Sequence, residues 1–275
     1  MRFTKMHGAG NDYIYVNAMQ EHISDPSALA LKLSDRHFGV GSDGLVLIMP
    51  SETADFRMRM YNSDGSEAEM CGNASRCVGK YVFDKGLTTK TSLTLETKAG
   101  IKVLNLTIKD GLVSTVCVDM GAPILEPSQI PVAISSSESI HIPLTIDQLN
   151  YEVHCVSMGN PHAVLFTSDI DALNLPEIGP KFELNAIFPK RTNTEFVEIL
   201  NPEHAKMRVW ERGAGETLAC GTGACAVLVA GVLTGQLNRK AVIDLRGGSL
   251  QIEWNPQNNH VYMTGEAVMV FEGEI

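Results

Sequence analysis

Two cysteines in this chain stand in settings where a thiol could carry out acid–base chemistry. Cys220 follows a loop rich in small residues, precedes Gly221, and leads into the apolar run 226–233, which predicts that a helix begins here. The start of a helix exposes backbone N–H groups and the positive end of the helix dipole, and this environment lowers the pKa of a thiol from about 8.5. Cys71 has the same setting, because Gly72 follows it and a helical pattern comes next.

The two cysteines occupy matching positions in an internal repeat. A shift of 149 residues places Cys71 on Cys220 and aligns residues 57–73 with residues 206–222 without a gap. The same shift places Asn11 on Asn160. A repeat of this length predicts two similar domains, each of which contributes one cysteine at the start of a helix.

The elements around the cysteines predict an α+β fold. Strands are expected at 12–17, 45–49, 56–60, 92–97, 101–106, 112–118, 153–158 and 194–200, with a short helix at 27–33 and a helix after each cysteine. We expect two pseudo-symmetric domains, each a mostly antiparallel sheet or barrel wrapped around a central helix. The turn at 119–123 is the expected crossover, which gives one domain of residues 1–118 plus 267–275 and another of residues 119–266.

The composition limits the class of protein. A net charge of −10 over 275 residues argues against a nucleic-acid partner, because phosphates would be repelled. The sequence starts without an apolar signal core and contains no apolar run of about 18 residues, so we expect no membrane association. Six cysteines in a chain of this size are expected to be reduced thiols in the cytoplasm.

Several other uses of these residues are weaker. Cys77, Cys117, Cys155 and Cys225 are expected to be ordinary interior residues. The spacings of the cysteines do not match a structural zinc site, and the glycine-rich loops lack the pattern of a phosphate-binding loop. A cysteine protease could pair one cysteine with His162, but the second cysteine would then have no role. A redox switch that joins the two thiols as a disulfide remains an alternative.

Inversion of a carbon centre needs two equivalent groups, because a base removes the proton from one face and an acid delivers a proton to the other. Two thiols suit this task, since one can be a thiolate near neutral pH while the other retains its proton. The helix N-termini could stabilise the charge that develops on an α-carboxylate. We therefore expect a racemase or epimerase that needs no cofactor and no metal.

The motifs of the chain resemble those of the diaminopimelate epimerases. The resemblance is carried by 7–13 (HGAGNDY), 70–73 (MCGN), 159–162 (GNPH) and 211–226 (ERGAGETLACGTGACA), which occur in the same order from one end of the chain to the other. It implies a cofactor-independent epimerase that interconverts LL- and meso-diaminopimelate in the synthesis of lysine and peptidoglycan precursors. It also makes a homodimer plausible. The alternative within this chemistry is another cofactor-independent racemase, such as one for proline or hydroxyproline.

The resemblance also implies roles for individual residues. Cys71 and Cys220 would be the acid–base pair, and His162 and Glu211 would help to set their protonation. The residues implied to bind the substrate are Asn11, Asn62, Gly72, Asn73, Asn160, Asn193, Glu211, Arg212, Gly221 and Thr222. Two positions depart from the family pattern: Ala74 replaces a usual glycine, and Gly44 replaces a glutamine of some relatives, so we do not expect Gly44 to bind substrate.

Overall fold

The structure is a computed structural model that describes every residue from Met1 to Ile275. The chain divides into two compact units, one formed by Met1–Asp119 with Thr264–Ile275 and the other by Met120–Met263. The chain leaves the first unit within a strand, Leu112–Gly121, and returns to it within another, Val261–Gly265.

Strands dominate the first unit. They are β1 (Arg2–Gly8), β2 (Asn11–Asn17), β3 (Gly44–Met49), β4 (Phe56–Asn62), β5 (Glu67–Ala68), β6 (Ser92–Thr97), β7 (Gly100–Lys109), β8 (Leu112–Gly121) and, at the end of the chain, β18 (Val268–Glu274). Its helices are α1 (Pro26–Ser34) and α2 (Gly72–Asp84). The helix α2 packs against β1, β2 and β7.

The second unit has the same composition of elements. Its strands are β9 (Ile142–Ile146), β10 (Leu149–Ser157), β11 (Pro161–Phe166), β12 (Asn193–Asn201), β13 (His204–Glu211), β14 (Gly215–Thr217), β15 (Lys240–Leu245), β16 (Gly248–Trp254) and β17 (Val261–Gly265). A 3₁₀ turn at Ile170–Ala172 and α3 (Leu175–Glu183) precede the central helix α4 (Gly221–Leu233). Residues from both faces of α4 are buried against β10, β11, β12, β15 and β16, as its apolar sequence predicts.

The two helices that follow the cysteines begin and end in the same way. Each has 13 residues, with Cys71 as the N-cap of α2 and Cys220 as the N-cap of α4. Each ends with a glycine at positive φ, Gly86 at 70° and Gly235 at 72°, because only glycine adopts this conformation without strain. The C-terminus of each helix forms a Schellman motif. Its backbone hydrogen bonds include the one from Gly86 N–H to Phe83 O in α2 and the one from Gly235 N–H to Val232 O in α4.

The strands that carry the remaining site residues also correspond under the shift of 149 residues. In the first unit β2 and β3 run parallel, with Tyr13 opposite Gly44. In the second unit β11 and β12 run parallel, with His162 opposite Asn193. In each case the next strand, β4 or β13, pairs antiparallel with its neighbour. The backbone therefore places corresponding residues at corresponding points of the two units.

The sheet-dominated α+β fold predicted from the sequence is confirmed. The expected short strands and the three expected helices are present, although most are one to three residues longer than the sequence pattern indicated. The loose region after the expected crossover forms one strand, β9, and otherwise loops. None of the helices combines the length and the apolar character that a membrane crossing requires.

Candidate active site

In the first unit, Cys71 is surrounded by side-chain amides. Its Sγ–H donates to Oδ1 of Asn11 at 3.3 Å, and Nδ2 of Asn73 donates to the same oxygen at 3.4 Å. The amide of Asn11 is held from its other end, because Nδ2 donates to Asp43 at 2.7 Å. Burial and the neighbouring carboxylate of Asp12 raise the pKa of Asp43. Two of the predicted substrate-binding asparagines therefore lie directly beside the first cysteine.

A buried arginine in α2 fixes Asn73 in this position. Arg76 is fully buried, and its Nη2 donates to Oδ1 of Asn73 at 2.9 Å. Its Nε donates to the backbone oxygen of Glu266 at 3.3 Å. This arginine was not singled out from the sequence, because α2 also carries the charged residues Lys80 and Asp84.

The side chain of Asn62 is hydrogen-bonded to a nearby serine. Asn62 ends β4 opposite Gly44, and its Nδ2 donates to Oγ of Ser66 at 3.0 Å. Gly44 leaves no room for a side chain, because a Cβ there would overlap the carbonyl oxygen of Tyr61. A glutamine at this position would therefore require the backbone at Tyr61 to move.

In the second unit, Cys220 is surrounded by ionisable and hydroxyl groups. The side chain of the cysteine is buried, with 5% of its surface exposed. Its Sγ lies 3.5 Å from Oγ1 of Thr222, and Nδ2 of Asn160 donates to the same hydroxyl at 3.3 Å. Glu211 lies beside the cysteine, and the hydroxyl of Thr217 donates to its carboxylate.

The thiol of Cys220 is not activated as the sequence analysis expected. Burial, together with the carboxylates of Glu211 and Glu195, raises its pKa well above the ordinary value. The nearby hydroxyl of Thr222 and the backbone N–H of Gly223 act in the opposite direction but are outweighed. The expectation of a lowered pKa was wrong for this cysteine, because it took account of the helix N-terminus and not of the carboxylates that the strands bring to it.

His162 is buried in the same cluster. Its Nδ1 lies 2.7 Å from Oε1 of Glu195, and its Nε2 lies 3.1 Å from Oδ1 of Asn160. Both His162 and Glu195 have no exposed surface. The structure therefore brings together five residues of the second unit: Asn160, His162, Glu211, Cys220 and Thr222.

The last two predicted binding residues lie at the edge of this cluster. Asn193 is buried, and its amide is used by the backbone, since Nδ2 donates to Pro161 O and Oδ1 accepts from Arg212 N–H, both at 2.9 Å. Arg212 is exposed, and its guanidinium donates to the backbone oxygen of Lys190 at 3.0 Å. Asn193 thus orients the start of the loop that carries Arg212.

The N-termini of both helices lack a side-chain cap. The first helical hydrogen bonds run from Ser75 N–H to Cys71 O and from Ala224 N–H to Cys220 O. The N–H groups of Gly72 and Gly221, the first helical residues, come before these bonds in the chain and so take no part in the hydrogen bonding of the helix. Backbone N–H groups at an uncapped helix start form a site for an anion such as a carboxylate.

Three donor atoms near Cys220 resemble the ligands of a metal site. A ring nitrogen of His162, a carboxylate oxygen of Glu195 and the sulfur of Cys220 lie within 4.8 Å of one another. Both nitrogens of the ring already have partners, Glu195 and Asn160. An ion could bind the ring only by replacing one of these hydrogen bonds.

The other four cysteines lie away from the helix starts. Cys77 and Cys225 are buried within α2 and α4, and Cys155 is buried in β10. Burial raises the pKa of Cys77 to about 11 and also raises that of Cys155. Cys117 is half-buried in β8. These positions agree with interior packing.

Glu195 and Thr217 are parts of the cluster that the sequence analysis missed. Glu195 precedes Phe196 and Val197 in a strand, so its carboxylate stands where an apolar side chain is expected. A charged residue within a buried strand was the available signal. Thr217 gave no such signal, because its sequence context predicts a loop, where a threonine has many ordinary uses.

Comparison with known proteins places the chain in a family. The family model of diaminopimelate epimerase matches residues 3–126 and 154–270. The diaminopimelate epimerase of Acetivibrio thermocellus is 65% identical over 275 residues, which are 100% of this chain and 98% of that protein. The diaminopimelate epimerase of Methanococcus maripaludis is 59% identical, over 100% of this chain and 99% of that protein.

The chain belongs to the diaminopimelate epimerase family. It is therefore an isomerase of the epimerase type. The resemblance that the sequence motifs indicated is confirmed.

Solved structures with this epimerase fold include distant proteins. A phenazine biosynthesis protein of the PhzF family from Bacillus anthracis has a TM-score of 0.72 at 19% identity, covering 100% of this chain and 98% of that one. A hydroxyproline epimerase from Agrobacterium vitis has a TM-score of 0.69 at 13% identity, covering 100% and 90%. At these identities the similarity shows a shared fold.

The departure from the family pattern at Ala74 has a local explanation in this epimerase. Ala74 lies inside α2, where alanine is favourable. Its counterpart under the repeat is Gly223, where a Cβ would lie 2.7 Å from Oε1 of Glu195 and 3.3 Å from Sγ of Cys220. In the first unit the position that corresponds to Glu195 is Val46. The carboxylate that requires a glycine is therefore present in only one unit.

Proposed function

We propose that this protein is a cofactor-independent two-base epimerase that interconverts LL- and meso-2,6-diaminopimelate. One observation carries the proposal: each unit presents a cysteine as the N-cap of a 13-residue helix whose N-terminus has no side-chain cap. A thiol and several free N–H groups at one point can exchange a proton at an α-carbon and bind the attached carboxylate.

The chemistry requires one thiolate and one thiol. The thiolate removes the α-proton from one face of the substrate, and the thiol of the other cysteine delivers its proton to the opposite face. Each reacting contact spans about 3–3.5 Å, so the two sulfurs would lie roughly 6–7 Å apart across the carbon. The reverse reaction exchanges the roles of Cys71 and Cys220, which is why a matched pair is suitable.

Charge stabilisation would come from the backbone. The N–H groups of Gly72, Asn73, Gly221 and Thr222 would bind the reacting carboxylate as negative charge develops on it. A preorganised donor of this kind contributes about 2.7–4 kcal/mol, and a helix terminus contributes about 0.3–2 kcal/mol. Several such groups together would take the place of a cofactor.

Polar side chains would read the two zwitterionic ends of the substrate. Amides accept from ammonium groups and donate to carboxylates, and a guanidinium can bind a carboxylate with two hydrogen bonds. We assign this role to Asn11, Asn62, Asn160, Asn193, Glu211 and Arg212. His162 and Glu211 would also influence the protonation of the nearby thiol.

The cellular setting follows from the same proposal. The two units would act as two epimerase domains, with boundaries near residues 119 and 267. We expect a cytoplasmic enzyme of lysine and peptidoglycan precursor synthesis that acts as a homodimer, without a membrane or nucleic-acid partner. Oxidation that joined Cys71 to Cys220 would block catalysis, and an active oxidised form would contradict this.

A substrate panel tests the choice of substrate. Purified protein is incubated separately with LL-diaminopimelate, meso-diaminopimelate, proline and hydroxyproline, and chiral chromatography follows the stereoisomers. We expect epimerisation of both diaminopimelate isomers and no racemisation of the cyclic amino acids. Turnover of proline or hydroxyproline with no turnover of diaminopimelate would refute the proposal.

A further inference from the structure

We propose that Glu195 is a positioning residue that controls the protonation of Cys220 through His162. The inference rests on the proposed function, because it concerns the cysteine assigned there as an acid and base. It adds a residue to which the family motifs assigned no role.

Glu195 occupies a place that a carboxylate rarely takes without a function. It is fully buried in β12, and Oε1 lies 2.7 Å from Nδ1 of His162. The other oxygen, Oε2, accepts no hydrogen bond. A buried carboxylate oxygen without a partner is costly, so such a group calls for an explanation. The glycine at position 223 gives Oε1 the space that it occupies.

A chain of hydrogen bonds leads from this carboxylate to the sulfur. Nε2 of His162 lies 3.1 Å from Oδ1 of Asn160, and Nδ2 of Asn160 lies 3.3 Å from Oγ1 of Thr222. The same hydroxyl lies 3.5 Å from Sγ of Cys220. All five residues belong to the second unit.

The donors and acceptors of this chain allow two consistent arrangements. With Asn160 oriented as described, Nε2 carries a proton and donates to Oδ1, and the hydroxyl of Thr222 donates to the sulfur, which suits a thiolate. With the amide turned over, Nε2 accepts from Asn160, and the thiol of Cys220 donates to Thr222. The two arrangements differ by one proton, which Cys220 releases and Nε2 accepts, and no bond between heavy atoms changes.

Glu195 acts on Cys220 in two opposite ways. Its negative charge raises the pKa of the thiol through space. Its hydrogen bond to His162, in contrast, favours the first arrangement, and the proposal is that the effect through His162 is the larger one. Its carboxylate accepts from Nδ1–H, so the second proton of the ring must sit on Nε2, and the carboxylate then serves as the counter-ion of the imidazolium. The other ionisable groups facing this cluster are Glu211, beside Cys220, and Cys155, beside Glu195. Neither is positioned by a hydrogen bond to the ring of His162.

The first unit has neither a histidine nor a glutamate at the positions that correspond to His162 and Glu195. The repeat places Tyr13 at the position of His162 and Val46 at the position of Glu195, while Asn11 and Asn160 correspond. The chain of hydrogen bonds therefore acts on one cysteine of the proposed pair.

The test is the pH at which the Cys220 thiolate forms. We would measure thiolate ultraviolet absorbance as the difference between Cys71→Ala and Cys71→Ala/Cys220→Ala proteins, each with and without Glu195→Gln. The glutamine keeps the shape and can still hydrogen-bond to the ring, but it removes the counter-ion. We expect the midpoint of Cys220 thiolate formation to move to higher pH in the proteins that carry Glu195→Gln.

The opposite result has a clear meaning. If Glu195 acted on Cys220 only as a nearby negative charge, its removal would let the thiolate form at lower pH. A lower or unchanged midpoint would overturn the proposal. Glu198→Gln is the matched control, because Glu198 lies in the same strand and its carboxylate accepts only from Ile170 N–H, at 3.4 Å. We expect this control to leave the midpoint in place.

A second measurement uses the wild-type protein and does not depend on the folding of the variant. Nitrogen-15 spectra of the histidine rings would report which nitrogens of His162 carry protons. We expect Nδ1 to carry the proton that Glu195 accepts, and a bare Nδ1 at neutral pH would contradict the proposal. Neither experiment needs a substrate, so the role of Glu195 and the proposed reaction can fail separately.

Discussion

The environments of Cys71 and Cys220 share a backbone and differ in their side chains. Each cysteine occupies the N-cap position of a helix of 13 residues that ends in a Schellman motif, and each has an asparagine, Asn11 or Asn160, in its hydrogen-bond network. Around Cys71 the neighbouring polar groups include the amides of Asn11 and Asn73, and Tyr15 and Cys77 also lie near the thiol. Around Cys220 the neighbouring groups include the carboxylates of Glu195 and Glu211.

This difference teaches that the duplicated backbone and the thiol chemistry are set separately. The helix start and the strand register are common to both units and present the sulfur and the N–H groups. The strands then deliver different residues to the same points, because Tyr13, Val46 and Asn62 correspond to His162, Glu195 and Glu211. A pair of identical thiols can thereby acquire different protonation states.

The largest effect is expected from removal of either thiol. Cys71→Ser and Cys220→Ser should each lower kcat/KM for diaminopimelate by about 10²–10⁴-fold, because a hydroxyl is a far weaker acid–base group. Steady-state assays in both directions measure this effect. Cys117→Ser, in a strand away from the helix starts, is the control and should remain active. Near wild-type activity of either catalytic variant would remove the two-base model.

Gly223→Ala and Ala74→Gly each give one unit the residue that the other unit has at the corresponding position. The new methyl at position 223 would meet Glu195 and Cys220, so the change should cost about 1–3 kcal/mol, shared between stability and kcat/KM. Ala74→Gly, in the amide-lined unit, should cost only about 0.5–1 kcal/mol of stability and leave kcat/KM unchanged. Denaturant unfolding and steady-state assays compare the two. Equal effects on activity would show that the surroundings of the cysteines do not differ in function.

Glu211→Gln should make Cys220 more like an ordinary thiol. The carboxylate of Glu211 is one cause of the raised pKa of Cys220, after burial, so its removal should lower that pKa. The acid thiol is then lost at lower pH, and the alkaline limb of the kcat/KM profile should move to lower pH. Glu216→Gln provides the control, since Glu216 pairs with Arg208 and Arg246. A limb that stays in place would exclude Glu211 as a cause.

The smallest difference is expected where the units are alike. Gly86→Ala and Gly235→Ala each place a side chain at positive φ, where no neighbouring atom obstructs it, so the cost is conformational and about 1 kcal/mol in each case. Thermal unfolding should show similar losses, and the activity should persist. A large difference between the two losses would mean that the two helix ends contribute differently to the stability of the protein.

The sequence was sufficient to predict the repeated framework. A gapless alignment at a shift of 149 residues, a glycine after each cysteine and a second helix that is apolar nearly all round led to the correct fold class and to a helix after each cysteine. These features depend on local patterns, which a sequence displays directly.

The electrostatic setting of Cys220 could not be predicted in the same way. Glu195 lies 25 residues before Cys220 in the chain and reaches it only through the pairing of β12 with its neighbours. The helix N-terminus was visible in the sequence, whereas the burial and the two carboxylates that outweigh it arise from tertiary packing. Arg76 orients Asn73 from one turn away in the same helix, but its complete burial likewise arises from tertiary packing.

The fate of the α-hydrogen tests the central claim most directly. LL-diaminopimelate is converted to low extent in D₂O, and mass spectrometry measures the deuterium in the product and in the remaining substrate. Two thiols on opposite faces predict one deuterium in nearly every product molecule and almost none in the unreacted substrate. A product that retains the original α-proton, or deuterium that enters both isomers at the same rate, would contradict the account.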